Sequence, residues 1–397
     1  MRNGVVIIEK DRIAFAGPAE SAPRVDSDVK TYRVPAVMPG MWDVHGHFMG
    51  MPKANFDDLP RIPMPELAMR TAEDAKRALM AGFTSVREVG GLGVHLARVV
   101  DEGSIVGPHI YGAGQALSQT GGHGDLHSFP LEVVSRWGNL FSYLCDGVPE
   151  CLKGVRTQLR SGAKVIKVLA SGGVMSELDH PSHQQFSDEE LRAIVEEAGR
   201  ADRVVAAHCH GKPGIVASLR AGCKTIEHGT YLDEETAEMM IARDAVLVPT
   251  RFILERLLKF AKEAEVPDYA YRKLSALSDR HWKALQLAIR QGVAIAVGTD
   301  IFTSGAGTPI AWGMNGQEVL HLVEAGMDPR RAIEAATANG PLTLGPQAPK
   351  AGRLEAGYDA DVIALAKDPI STIGVLAAPD KITHVWKSGM LVKEVEI

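Results

Sequence analysis

From residue 37 onward the chain keeps one rhythm. A short apolar run rich in β-branched residues is followed by a longer segment of helical periodicity, again and again. The apolar runs fall at residues 41–45, 84–89, 109–116, 165–170, 204–208, 225–228, 246–250 and 294–299. The helical segments fall at 65–80, 94–101, 148–161, 188–200, 213–221, 234–243, 272–291 and 316–325. Each helix returns the chain to the start of the next strand, so the strands must run parallel. Eight strands alternating with eight helices is what a (β/α)8 TIM barrel requires.

Helix ends agree with this reading. Ser187-Asp188-Glu189-Glu190 is a capping box, in which Ser187 and Glu190 each satisfy the other's free amide. Asp328-Pro329 supplies a cap acceptor and then proline at the first helical position. Gly222 and Gly292 follow helices where a left-handed residue is needed. Outside the barrel the pattern is β-type, at residues 5–16, 26–34, 357–365 and 382–386. We expect one α/β barrel at residues 38–344, and a small discontinuous β-domain built from 1–37 and 345–397. A chain of 397 residues has room for both.

A net charge of −6 gives no reason to expect nucleic acid or an anionic membrane as partner. No apolar run is long enough for a membrane span, and the first ten residues do not read as a signal peptide. A cytoplasmic protein is expected, with a trimmed secreted form as the alternative. Four cysteines without a C-x-x-C pair argue for reduced thiols rather than a cysteine-zinc site. Cys209 is assigned to core packing.

His45 and His47 are two apart on an extended run and project to one side of it. Neutral imidazole is a common ligand for zinc-like ions. A single histidine on an apolar strand is more often a core residue, and one H-x-H pair is weak. The pair gains weight from Lys167 on the fourth run, His208 and His228 ending the fifth and sixth, and Asp300 following the eighth. Barrel active sites lie at the C-terminal ends of the strands, so all six would converge on one mouth. Lys164 is the other lysine of the fourth run, but it falls on the opposite face near the run's start.

On these residues the chain resembles the amidohydrolase superfamily. The matching pieces are His45-Gly46-His47, Val165-Ile166-Lys167-Val168, Ala206-Ala207-His208, Glu227-His228-Gly229-Thr230 and Gly298-Thr299-Asp300. The resemblance runs from about Ala36 to Gly345 and continues into the tail at residues 352–361. The family's usual first β-strand, ahead of Gly4, is not found here. A free ammonium has no lone pair for a metal. The resemblance implies that Lys167 is carbamylated and bridges two divalent ions, with zinc the default and manganese or cobalt also compatible. One ion would be held by His45, His47 and Asp300, the other by His208 and His228. A water between them would be deprotonated near neutral pH and attack a carbonyl carbon. Asp300 would take its proton and pass it to the leaving nitrogen.

Deaminases of this superfamily carry an acid shortly after the fifth-strand histidine, whereas His208-Cys209-His210-Gly211-Lys212 has none. Residues 167–174, 120–125 and 227–232 instead resemble the branch of Xaa-Pro dipeptidases, related carboxypeptidases and ochratoxinase. That branch implies a small-molecule substrate whose scissile nitrogen belongs to an amino acid with a free carboxylate. Tyr231 is expected to stabilise the oxyanion or bind that carboxylate. His123, His210 and Arg251 are expected to bind it. The loop at 179–186, with His180 and His183, would overhang the mouth. A lactonase or phosphotriesterase on the same metal pair remains the alternative, followed by a deaminase or an inactive scaffold. The family also implies a homo-oligomer.

Overall fold

The computed structural model describes residues 3–137 and 140–395. The first two and last two residues of the expected small domain lie outside the described residues. Eight parallel strands form the barrel: Met41–Met51, Phe83–Glu88, His109–Gly112, Ile166–Leu169, Val205–Cys209, Thr225–His228, Val246–Val248 and Ala294–Ile295. The first three make one arc and the last five another. Two backbone bonds close the ring, Val44 N to Val297 O and Lys164 N to Gly112 O, both 2.8 Å. Trp42, Val44, Val165, Ala206, Val246 and Ala296 fill the barrel interior. This packed layer is a floor, and the polar residues stand above it.

The return helices are Met64–Met80, Gly93–Asp101, Gly147–Ser161, Asp188–Gly199, Lys212–Ala221, Glu234–Ala242, Asp268–Gln291 and Gln317–Glu324. Ser187 and Glu190 form the capping box at the Asp188 helix. Gly222 and Gly292 are left-handed, with φ of 98° and 79°, a conformation that costs glycine little.

Several expectations need correction. The first strand continues to Met51, so His45 and His47 lie inside it; its ladder with the second strand nonetheless ends at Gly46. The run at 109–116 is not one strand. It leaves the barrel at Gly112, turns through Gly114 with φ of 73°, and resumes at Ala116–Ser118 beside Ser142–Leu144. The run at 294–299 holds a strand of only two residues, and beyond it Val297 N donates to Ala335 O and Thr299 N to His45 O. Residues 26–34 form no strand; the strand is Ala36–Pro39, and prolines at 23 and 35 flank the loop. Helices Leu131–Trp137, Arg251–Lys259 and Pro329–Ala335 were not among the expected eight, although Asp328 caps the last as anticipated.

The tail contributes Val362–Leu365, Ile382–Lys387 and Met390–Glu394 to an antiparallel sheet whose other edge is Ala36–Pro39. The hairpin Gly4–Glu9 and Arg12–Pro18 attaches to the tail through Ile13 N to Tyr358 O and Ala360 N to Asp11 O, both 2.9 Å. All four cysteines are free and buried. Among the described residues, no helix is long and apolar enough to cross a membrane.

Candidate metal centre

Asp43, fully buried, ties the first strand to the segment carrying Asp300. It accepts from His45 N and Thr299 N at 3.1 Å each, from Thr299 Oγ1 at 2.5 Å and from Asn315 Nδ2 at 2.6 Å. Asp300 then turns inward with φ of 59°, its amide donating to His45 O at 2.6 Å. Its Oδ1 comes to rest 3.1 Å from His47 Nε2 and 3.5 Å from His45 Nε2. His45 and His47 share a face of the strand, and Gly46 between them packs on the other side, where a Cβ would lie 2.5 Å from the Trp312 ring. His47 is oriented from behind, with Nδ1 2.8 Å from Gly90 O.

Across the mouth, His208 Nδ1 and His228 Nε2 are 2.9 Å apart. His228 is itself left-handed at φ of 68°, and its Nδ1 lies 2.7 Å from Thr250 Oγ1. A histidine in that conformation is uncommon and costs about 1–3 kcal/mol, which such sites tolerate when neighbours hold the residue in place. Lys167, 1% exposed, puts Nζ 3.5 Å from His45 Nε2 and lines the same cavity as both histidine groups.

The electrostatics suit cations. Burial lowers His45 to about 4 and takes His208 and His228 well below the ordinary imidazole value, so their rings are neutral and each keeps one nitrogen lone pair. Burial alone would raise Asp300, but His45, His47 and Lys167 bring it below its ordinary value. Burial lowers Lys167 to about 8; Glu227 and Asp300 oppose that shift and Arg87 adds to it. Ligand atoms of His208, His210 and His228 lie within 4.8 Å of one another, and so do those of His45, His228 and Asp300. Neutral imidazoles with one carboxylate are the donor set of zinc-like ions, so these residues fit a divalent metal ion.

The structure therefore brings His45, His47, Lys167, His208, His228 and Asp300 to one cavity of about 590 Å³. His123 and His210 line it too, each lowered mainly by burial, to about 4 and 3. His210 Nδ1 lies 2.7 Å from Thr230 Oγ1, while its buried Nε2 has no partner among the described residues. Tyr231 and Arg251 lie outside this lining. Tyr231 sits under the Arg280 guanidinium, 4.9 Å from its ring centre. Arg251 pairs with Glu255, donates to Ser278 O at 2.9 Å and stacks over Trp282. His180 and His183 are exposed on their loop, with rings 5.0 Å apart. The rest of the lining is apolar, including Phe141, Val174, Ile253, Leu257 and Phe302.

Sequence reasoning assigned no role to two charged residues behind the centre. Glu227 Oε2 is 2.6 Å from His45 Nδ1, and Arg87 Nη2 donates to both oxygens of Glu227, at 2.8 and 2.9 Å. The available signal was an arginine and a glutamate placed inside β-branched runs, where an unpaired charge would be very costly.

Comparison with known proteins identifies the family. Ochratoxinase of Aspergillus niger is 45% identical over 414 aligned residues, covering 99% of this chain and 83% of the relative. The crystal structure of A. niger ochratoxinase superposes with a TM-score of 0.91 at 43% identity, covering 100% of this chain and 93% of that one. A prolidase complexed with N-methylphosphonate-L-proline superposes with a TM-score of 0.89 at 31% identity, over 98% and 94% of the two chains. The model of the amidohydrolase family matches residues 36–392, nearly all of the barrel and tail. With the family model matched over most of its length and a relative 45% identical across 99% of it, the chain belongs to the amidohydrolase family.

Proposed function

We propose that this enzyme hydrolyses the amide bond of dipeptide-like or N-acyl amino acid substrates that carry a free carboxylate, using two divalent ions and a carbamylated Lys167. The observation that carries the reading is the convergence of His45, His47, His208, His228, Asp300 and the buried Lys167 on one cavity whose lining is apolar apart from these residues, His123 and His210. The names of the similar ochratoxinase and prolidase support an amide substrate of this kind.

When bound, a pair of divalent cations lowers the pKa of water and polarises a carbonyl oxygen. His45, His47 and Asp300 would hold one ion, and His208 and His228 the other. Lys167 contributes through its depressed pKa, because only the neutral amine reacts with carbon dioxide to give a carbamate and a proton. The product carries two oxygens and a negative charge, and the imidazoles around it supply neither. Asp300 keeps about a fifth of its side chain exposed to the cavity. Its carboxylate can accept a proton there and return it to the departing nitrogen, which is a very poor leaving group unprotonated. We assign the substrate carboxylate to His123 and His210. The apolar wall suits a hydrophobic amino-acid side chain and excludes water from the reacting bond.

A panel of dipeptides, N-acyl amino acids, lactones and phosphotriesters tests the assignment. Amides with an apolar C-terminal residue should be preferred over the aspartate analogue by roughly 10–100-fold in kcat/KM, the discrimination a hydrophobic wall can supply. Faster turnover of lactones or phosphotriesters than of any amide would refute it.

A further inference from the structure

Arg87 and Glu227 form an ion pair at 0% exposure. Replacing such a pair by apolar residues is often neutral or stabilising, so stability alone is a weak reason for it. The hydrogen-bond geometry supplies a better one. Arg87 reaches across the barrel from the second strand. Its Nε donates to Val44 O at 2.5 Å, Nη1 to Thr225 Oγ1 at 3.0 Å, and Nη2 to both oxygens of Glu227. Thr225 Oγ1 adds a second donor to Glu227 Oε1. Two of these donations come from a guanidinium, which has no acceptor to offer, so Glu227 is held as an ionised acceptor. It faces His45 Nδ1 at 2.6 Å.

We infer that Arg87 and Glu227 are positioning residues that fix the tautomer of His45. A carboxylate locked by Arg87 can only accept, so the proton of His45 must sit on Nδ1. The lone pair is then on Nε2, the atom that faces Asp300 and Lys167 in the cavity. An imidazole nitrogen carrying a proton cannot bind a metal, so the choice of tautomer decides whether His45 can serve as a ligand. The inference rests on the proposed reading of His45 as a metal ligand.

The variant Glu227→Gln turns this around with almost no change of shape. Arg87, which has only donors, keeps the amide oxygen, and the amide nitrogen is left facing His45 Nδ1. That nitrogen donates, and His45 must move its proton to Nε2. Titration of the metal-free protein with zinc alone should show two bound ions in the wild type. In Glu227→Gln one ion should keep its affinity and the other should bind roughly 10–100-fold more weakly, the usual effect of losing an orienting partner. A folded variant that binds both ions like the wild type overturns the inference. If the variant fails to fold, 15N-histidine spectra of the metal-free wild type decide the matter, with the His45 signal assigned by its loss in His45→Asn. A proton on Nδ1 is expected, and a proton on Nε2 overturns the inference. A wild type that binds no zinc would instead defeat the proposed function, and the spectra would still report the tautomer.

Discussion

Lys167→Met should make the metal-free protein more stable while abolishing its function. Lys167 is 1% exposed, and burial is the largest cause lowering it from the ordinary 10.5 to about 8. At about 1.4 kcal/mol per pH unit, that difference corresponds to roughly 3 kcal/mol. Below pH 8 the lysine is charged in both the folded and unfolded chain, and the folded state bears the whole cost. Between about 8 and 10.5 the folded protein has shed the proton and the unfolded chain still holds it, so wild-type stability rises with pH. Above 10.5 both are neutral and the cost is gone. Methionine has similar length and no charge. In metal-free, carbon dioxide-free buffer at pH 7, the variant should therefore be more stable by roughly 3 kcal/mol. For a chain of this length that is about 4 °C in Tm. The gap should close as the pH approaches 10.5. Thermal melts of both proteins across pH 7–10.5 check this. Equal stability at pH 7, or a gap that ignores pH, would refute the account of Lys167 as a destabilised lysine kept for its chemistry.

Asp300→Asn preserves shape but cannot accept a proton, so turnover should fall by a factor on the order of 10²–10⁴. Bound metal, measured by elemental analysis, should fall much less, because the histidines remain. Tyr231→Phe should leave turnover and KM within about threefold, since Tyr231 lies outside the cavity lining; a loss near 10²-fold would return it to the oxyanion. Steady-state kinetics on one N-acyl amino acid read both variants.

The barrel was legible because its signal is local and repeated. A strand buried on both faces reads as an apolar run, and the helix after it shows its own period and caps, as at Ser187–Glu190. Most helix limits agree to within a residue or two. The helix Arg251–Lys259 escaped because it starts from a left-handed Thr250, with φ of 53° and no side-chain cap to mark it. Gly112 and Gly114 broke a run that composition alone could not divide. That the six proposed ligands share one cavity was legible because the fold assigns strand ends to one mouth. Contacts such as Arg87 with Glu227, 140 residues apart, depend on how strands face each other across the barrel. Nothing in either strand's own sequence encodes that partner. Arg251 shows the limit from the other side: a cation just past a strand end suggested a substrate contact, and the helix it opens pairs it with Glu255 and Trp282.

Metal counting coupled to activity tests the central assignment most directly. The protein is stripped with a chelator, then titrated with zinc while bound metal and amide hydrolysis are followed together. Activity should vanish on stripping and return as occupancy approaches about two ions per chain, the number the proposed function requires. Full activity in a protein holding well under one ion per chain would contradict it.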